Sequence, residues 1–188
     1  MLKKAGTEAM ISSKEEDILN ADKLILPGVG AFDTCAMKLK ESGLIRILNK
    51  KALEDKIPVL GICVGMQLLF SNSEEGELPG LGWVEGKVVK FKTDLLNGLK
   101  VPHMGWTEVK LNKSSSLFMD MYEEPRFYFV HSYYPEVNNP EDALLFGDYG
   151  YPFVAAVEHE NIIGVQFHPE KSHKYGLRLF ENFVTKYS

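Results

Sequence analysis

Cysteine is scarce: the 188 residues contain two, Cys35 and Cys63. So few thiols cannot form a disulfide framework, and a reducing cytoplasm is the expected compartment. Long apolar runs are missing as well. The nearest, around residues 57–70, is broken by two glycines and a glutamine and falls short of the roughly 20 residues a membrane span needs. The opening MLKKAGTEAM has lysines with no apolar stretch behind them, so no secretory signal is expected. Positive charge is not in excess either: 26 Asp and Glu outnumber 21 Lys and Arg, and the net charge is −5. Lysines interspersed with glutamates argue against electrostatic capture of nucleic acid and leave a small substrate or a protein partner. No internal repeat and no low-complexity segment is found.

What is present fits one globular domain over residues 1–188: 45% of residues are hydrophobic and 25% charged, and the length supports a single sizeable core. In the first half, apolar runs alternate with helical patterns. EAMI, DKLILPG and KIPVLGIC read as strands; SSKEEDILNA, AFDTCAMKLKESG and LIRILNKKALEDK read as helices, with Gly43 as a stop. Leu44, Ile45, Leu48 and Ala52 share one face of the third helix. Strands separated by helices imply a parallel sheet flanked by helices. KIPVLGIC lacks polar alternation and is expected to be covered on both faces, with a site beyond its carboxyl end. From residue 83 onward strand follows strand: WVEGKVVKF, WTEVKL, RFYFVHSYY, FVAAVEH and IIGVQFH, the last two joined across Glu160 and Asn161 as a hairpin. Antiparallel additions to a mixed, mostly parallel sheet are the expectation. SNSEEGELPGLG reads as a surface loop, and YGLRLFENFVTKY as a closing helix with Leu177, Phe180, Val184 and Tyr187 on one face.

The stretch GICVG, residues 61–65, follows a buried strand and precedes the helical spacing of MQLLF. This is the context of a nucleophile elbow, in which glycines flank a sharp turn because a side chain there would collide with neighbouring backbone. A thiol at the tip faces the amino end of a helix, which favours the thiolate, and the N–H of Val64 points where an oxyanion would form. The plainer possibility is that Cys63 is a small buried hydrophobe. GVQFHPEKS, residues 164–172, decides between them. A strand delivers His168, and Glu170 follows two positions later across Pro169, so a base and a carboxylate to hold its ring lie together.

PGVGAF, GICVGMQLL and GVQFHPEKS resemble, in order, the three signatures of the class I, triad-type glutamine amidotransferases. The resemblance spans nearly the whole chain and implies that family's single-domain, flavodoxin-like α/β fold. It implies Cys63 as nucleophile, His168 as general base and acid, and Glu170 as the group that orients it. PHMGW and RFYFVHSYY are similar, within the family, to the glutaminase subunits of imidazole glycerol phosphate synthase, which pass ammonia to a (βα)8-barrel cyclase partner. By the same resemblance Gln67, Glu75, Ser132 and Tyr133 hold L-glutamine, and Gly28, Val29 and Gly30 supply the second oxyanion donor. A glycine-rich loop can turn an N–H toward a carbonyl oxygen, and a glutamate can hold an α-ammonium.

Read without the resemblance, Gln67 is equally a helix-surface residue, and His103 and Trp106 are packing or partner contacts. Cys35 is expected in the core. His131, His159 and His173 lack metal-ligand spacing, so neither metal nor cofactor is expected. Family members open with a further strand and helix before the segment matching EAMI; about 20 residues of that kind, one βα step, are expected to be missing here. CVGMQ, SEEGELPGLGW and HPEKSHKYG are similar to a paralogous group that feeds ammonia to a sugar-amidating ligase for surface polysaccharide. Outside the family, the rivals are a cysteine hydrolase of another substrate and a catalytically silent binding subunit.

Overall fold

The computed structural model describes residues 1–96 and 98–187. Nine strands are β1 (Leu24–Gly28), β2 (Val59–Cys63), β3 (Gly86–Lys90), β4 (His103–Leu111), β5 (Arg126–His131), β6 (Tyr133–Val137), β7 (Ala143–Asp148), β8 (Pro152–His159) and β9 (Ile162–Val165). Five α-helices are α1 (Glu15–Leu19), α2 (Phe32–Glu41), α3 (Ile45–Asn49), α4 (Val64–Gln67) and α5 (His173–Thr185). Seven strands form one sheet in the order β1-β2-β9-β8-β7-β4-β5, while β3 and β6 make a separate antiparallel ribbon.

The sheet is mixed, as expected, but parallel pairing is confined to β1 with β2 and β2 with β9. The four pairings from β9 to β5 are antiparallel, so "mostly parallel" holds only for the part that carries the site. The cause is connectivity: turns and loops, with one short 3-10 turn at Ser116–Phe118 and no α-helix, join β4 to β5, β7 to β8 and β8 to β9. β7 was not anticipated. Its ALLF run lacks polar alternation because Ala143, Leu144 and Leu145 are all buried and the register shifts between Ala143 and Leu145.

β2 lies between β1 and β9, one strand in from the edge of the sheet, and is buried at all five positions, with Leu60 and Ile62 packing into one apolar cluster and Val59 into the other. That burial on both faces is what its unbroken apolar run encodes. The β8–β9 hairpin forms where anticipated, pairing His159 with Ile162, and Glu160 takes a positive φ of 51° in the turn. RFYFVHSYY does not run on as one strand; it breaks at Ser132, and the chain passes from the main sheet (β5) to the ribbon (β6). The helix over LIRILNKKALEDK forms as α3 followed by a π-helical turn, Lys50–Glu54, with Leu48 and Ala52 buried.

EAMI forms no strand: Met10 and Ile11 are exposed, and Thr7 to Ile11 border an open groove of about 560 Å³ opposite Glu170 and Phe180. Without a ladder partner, a short apolar segment has no means of satisfying its backbone as a strand. On α5 the face is rotated from the expected one. Tyr175, Leu179, Phe180 and Phe183 are buried, while Leu177 and Val184 are only half-buried.

Candidate active site

Cys63 sits where β2 ends and α4 begins, with φ +54° and ψ −117°. A side chain holding such a conformation costs on the order of 1–3 kcal/mol and persists because the surroundings enforce it. The enforcement is visible at two glycines. A Cβ on Gly65 would overlap the Leu26 carbonyl oxygen of β1, and one on Gly61 would lie 2.8 Å from the Gly65 carbonyl oxygen. The elbow is thereby pressed against β1, and β1–β2 pairing sets Gly28 directly beside Cys63. The Gly28–Gly30 loop therefore borders Cys63; Gly30 has φ +106° and Val29 is exposed. α4 spans only four residues, too short to set a sizeable helix dipole against the Cys63 thiol.

His168 is delivered just beyond β9, the strand next to β2. It is buried, and its Nδ1 lies 2.7 Å from Glu170 Oε1. The neighbouring Cys63 side chain, reinforced by Glu170, pushes the imidazole up to about 9. Burial pushes the Glu170 carboxyl up, but the bond with His168 and the nearby Lys171 outweigh it and leave Glu170 below the usual carboxylate range. Cys63, His168 and Glu170 thus come together as one charge-assisted line.

Two residues absent from the sequence-derived set complete the frame. Ser172, fully buried, donates to the His168 carbonyl at 2.7 Å and accepts from the Tyr128 N–H at 3.0 Å, while the His168 N–H donates to Tyr128 C=O at 2.9 Å. Gln166, also fully buried, points Nε2 at Cys63 Sγ, 3.8 Å away. A lone glutamine in the apolar run IIGVQF was the available signal for it.

Of the expected substrate residues, Gln67 is not a surface residue: it is buried, with Nε2 3.1 Å from Gln166 Oε1 and 3.4 Å from Tyr133 C=O. Its Oε1 is buried with no hydrogen-bond partner among the described residues. Tyr133 takes part through its main chain. Ser132 lies at the β5–β6 break, its carbonyl accepting from Phe91 N–H at 3.1 Å. Glu75 Oε2 accepts from Phe32 N–H at 3.0 Å, which caps α2 and brings the carboxylate close behind the Gly28–Gly30 loop.

Cys35 differs from its expected place in the core. It is half-buried on α2, its thiol donating to Val29 C=O at 3.5 Å, and burial pushes that thiol up. His103 is buried, whereas Trp106 is 44% exposed and stacks on the His173 ring at 5.5 Å.

The profile of a family described as glutamine amidotransferase class-I matches residues 3–187. The chain belongs to the class-I glutamine amidotransferases. Among amidotransferase relatives, the imidazole glycerol phosphate synthase subunit HisH 2 of Methanococcus maripaludis is 52% identical over 184 residues, covering 98% of this chain and 90% of the relative. The subunit of the same name from Pseudomonas aeruginosa is 48% identical over 184 residues with the same coverage. A crystal structure of a glutamine amidotransferase matches with a TM-score of 0.69 over 95% of this chain and 89% of the other, at 22% identity, and shows the shared amidotransferase fold. The chain is accordingly a glutamine-hydrolysing enzyme.

Proposed function

We propose that the chain is the glutaminase subunit of an imidazole glycerol phosphate synthase, and that it passes ammonia to a (βα)8-barrel cyclase partner in histidine biosynthesis. The observation that carries the chemistry is the strained Cys63 elbow at the end of β2, with His168 delivered from the adjacent β9 and its Nδ1 meeting Glu170 at 2.7 Å. The names of the relatives support the pathway. With both cysteines unpaired, a reducing cytoplasm is the compartment assigned; no helix among the described residues is long and apolar enough to cross a membrane.

Cys63 attacks the side-chain amide carbon of L-glutamine, and the oxyanion takes hydrogen bonds from the Val64 N–H and from an N–H of the Gly28–Gly30 loop. His168, protonated as the thiolate forms, gives that proton to the departing ammonia, leaving a γ-glutamyl thioester. Water then loses a proton to His168 and attacks the thioester, releasing glutamate and restoring the thiol. Glu170 keeps the ring oriented and stabilises the imidazolium. Gln67, Glu75, Ser132 and Tyr133 form the cradle for the amino-acid end of the substrate.

Glutamate release is the test, measured with the chain alone, then with a cyclase barrel, then with a sugar-amidating ligase, each supplied with its acceptor. Strong stimulation by the barrel is expected. Stimulation by the ligase alone would move the enzyme to the surface-sugar pathway with its catalytic step unchanged. Glutamine hydrolysis that survives Cys63→Ala would overturn the mechanism.

A further inference from the structure

The buried polar groups beside the triad form a single line, and its direction can be worked out from one atom, the Tyr133 carbonyl oxygen. A carbonyl only accepts, so both atoms facing it donate: His131 Nδ1 at 2.8 Å and Gln67 Nε2 at 3.4 Å. Burial pushes His131 down to about 3 and His103 down to about 4, so both rings are neutral. With its one proton on Nδ1, His131 Nε2 must accept, and His103 Nδ1, 2.9 Å away, must donate to it. His103 Nε2 is then an acceptor for the Thr107 hydroxyl at 2.8 Å. On the other side of the carbonyl, Gln67 Nε2 also donates to Gln166 Oε1 at 3.1 Å, which turns Gln166 Nε2 toward Cys63.

Each link therefore has one allowed polarity, from Thr107 on β4 to the nucleophile. The consequence falls on Gln67. With Nε2 committed to Tyr133 and Gln166, Oε1 is held as a buried acceptor without a partner among the described residues. A carboxamide free to rotate would present donor or acceptor alike; one fixed by a carbonyl cannot.

We propose that His131, backed by His103 and Thr107, is a positioning residue for glutamine: it holds the Tyr133 carbonyl and so keeps the acceptor end of Gln67 turned toward an N–H donor of the substrate. It rests on Gln67 and Tyr133 lying in the glutamine cradle.

The test is steady-state glutamine hydrolysis by the full chain with its stimulating partner. His131→Leu removes the donor to Tyr133. His131→Asn keeps an amide N–H at the Nδ1 position. Leu is expected to raise KM for glutamine about tenfold, the effect of one lost buried hydrogen bond, with kcat changed less than about twofold. Asn is expected to leave both constants within about twofold of the parent, a rescue that a merely space-filling histidine would not show. Gln67→Leu, made in parallel, should raise KM at least as much. An unchanged KM in Gln67→Leu would remove the cradle and the proposal together. A raised KM there, with His131→Leu unaffected or with Leu and Asn equally impaired, would overturn the proposal alone. Should His131→Leu fail to fold, Thr107→Val against Thr107→Ser asks the same at the far end of the line: a KM rise of about two- to threefold for Val only supports it, and equal kinetics overturn it.

Discussion

The parallel strands β1, β2 and β9 and the antiparallel strands β8, β7, β4 and β5 each bear buried histidine, and they treat it in opposite ways. His168, beyond β9, has a thiol on one side and a carboxylate on the other, and is pushed up to about 9. His103 and His131, on β4 and β5, face each other, an aromatic wall that includes Phe91 and Phe153, and a main-chain carbonyl. Burial pushes them down to about 4 and about 3. All three side chains are nearly sealed from solvent, so burial does not separate them; the groups facing each ring do. One environment favours the charged imidazolium, and the other the neutral ring.

The sharpest way to break this comparison is to remove its nucleophile. Cys63→Ala should lower glutamate release on the order of 10⁴-fold or more while the chain stays folded, because the other thiol, Cys35, lies half-buried on α2 and is bonded to the Val29 carbonyl. Next in size is the elbow. Gly65→Ala must displace the Leu26 carbonyl of β1, and thermal unfolding should show destabilisation of about 3 kcal/mol or more. An equivalent change on the antiparallel side, at half-buried Gly105, meets nothing within 4 Å, so only the strain of its φ of +145° is expected there.

Glu170→Gln removes the charge on one of the two partners, after Cys63, that make His168 unlike the other two. It should lower kcat about 10²-fold and move the His168 titration, followed by NMR, down from about 9 toward the ordinary 6.5. The smallest effect is the pH dependence of stability. His168 is raised, so its contribution is complete below pH 6.5 and is lost as the pH rises through about 9. His103 and His131 are lowered, so theirs is complete above pH 6.5 and is lost as the pH falls toward about 4 and 3. Denaturant unfolding across pH 4–10 should therefore weaken at both ends, by up to about 1.4 kcal/mol per pH unit for each titrating group. His131→Asn should reduce the acid-side loss and leave the alkaline side unchanged.

The triad half was largely legible in the sequence because its constraints are local. GICVG encodes a turn that only small residues permit, and HPE places base and carboxylate two positions apart, so neither needed a distant contact to be recognised. The antiparallel half was less legible. β7 carries no alternation because both of its faces are covered, and the break at Ser132 depends on a ribbon formed with β3, more than 40 residues earlier in the chain. The link from Gln67 through Tyr133 to His131 joins residues that no spacing relates. Glu75 was placed at the site by resemblance, while its bond to Phe32 N–H became visible only in three dimensions.

The most direct test of the central claim is to quench the enzyme in acid during steady glutamine turnover and weigh the two cysteine peptides. A γ-glutamyl adduct on the Cys63 peptide, absent from the Cys35 peptide and from His168→Asn, is the predicted result. Continued glutamate release with Cys63 unmodified, or with the adduct on Cys35, would contradict the account.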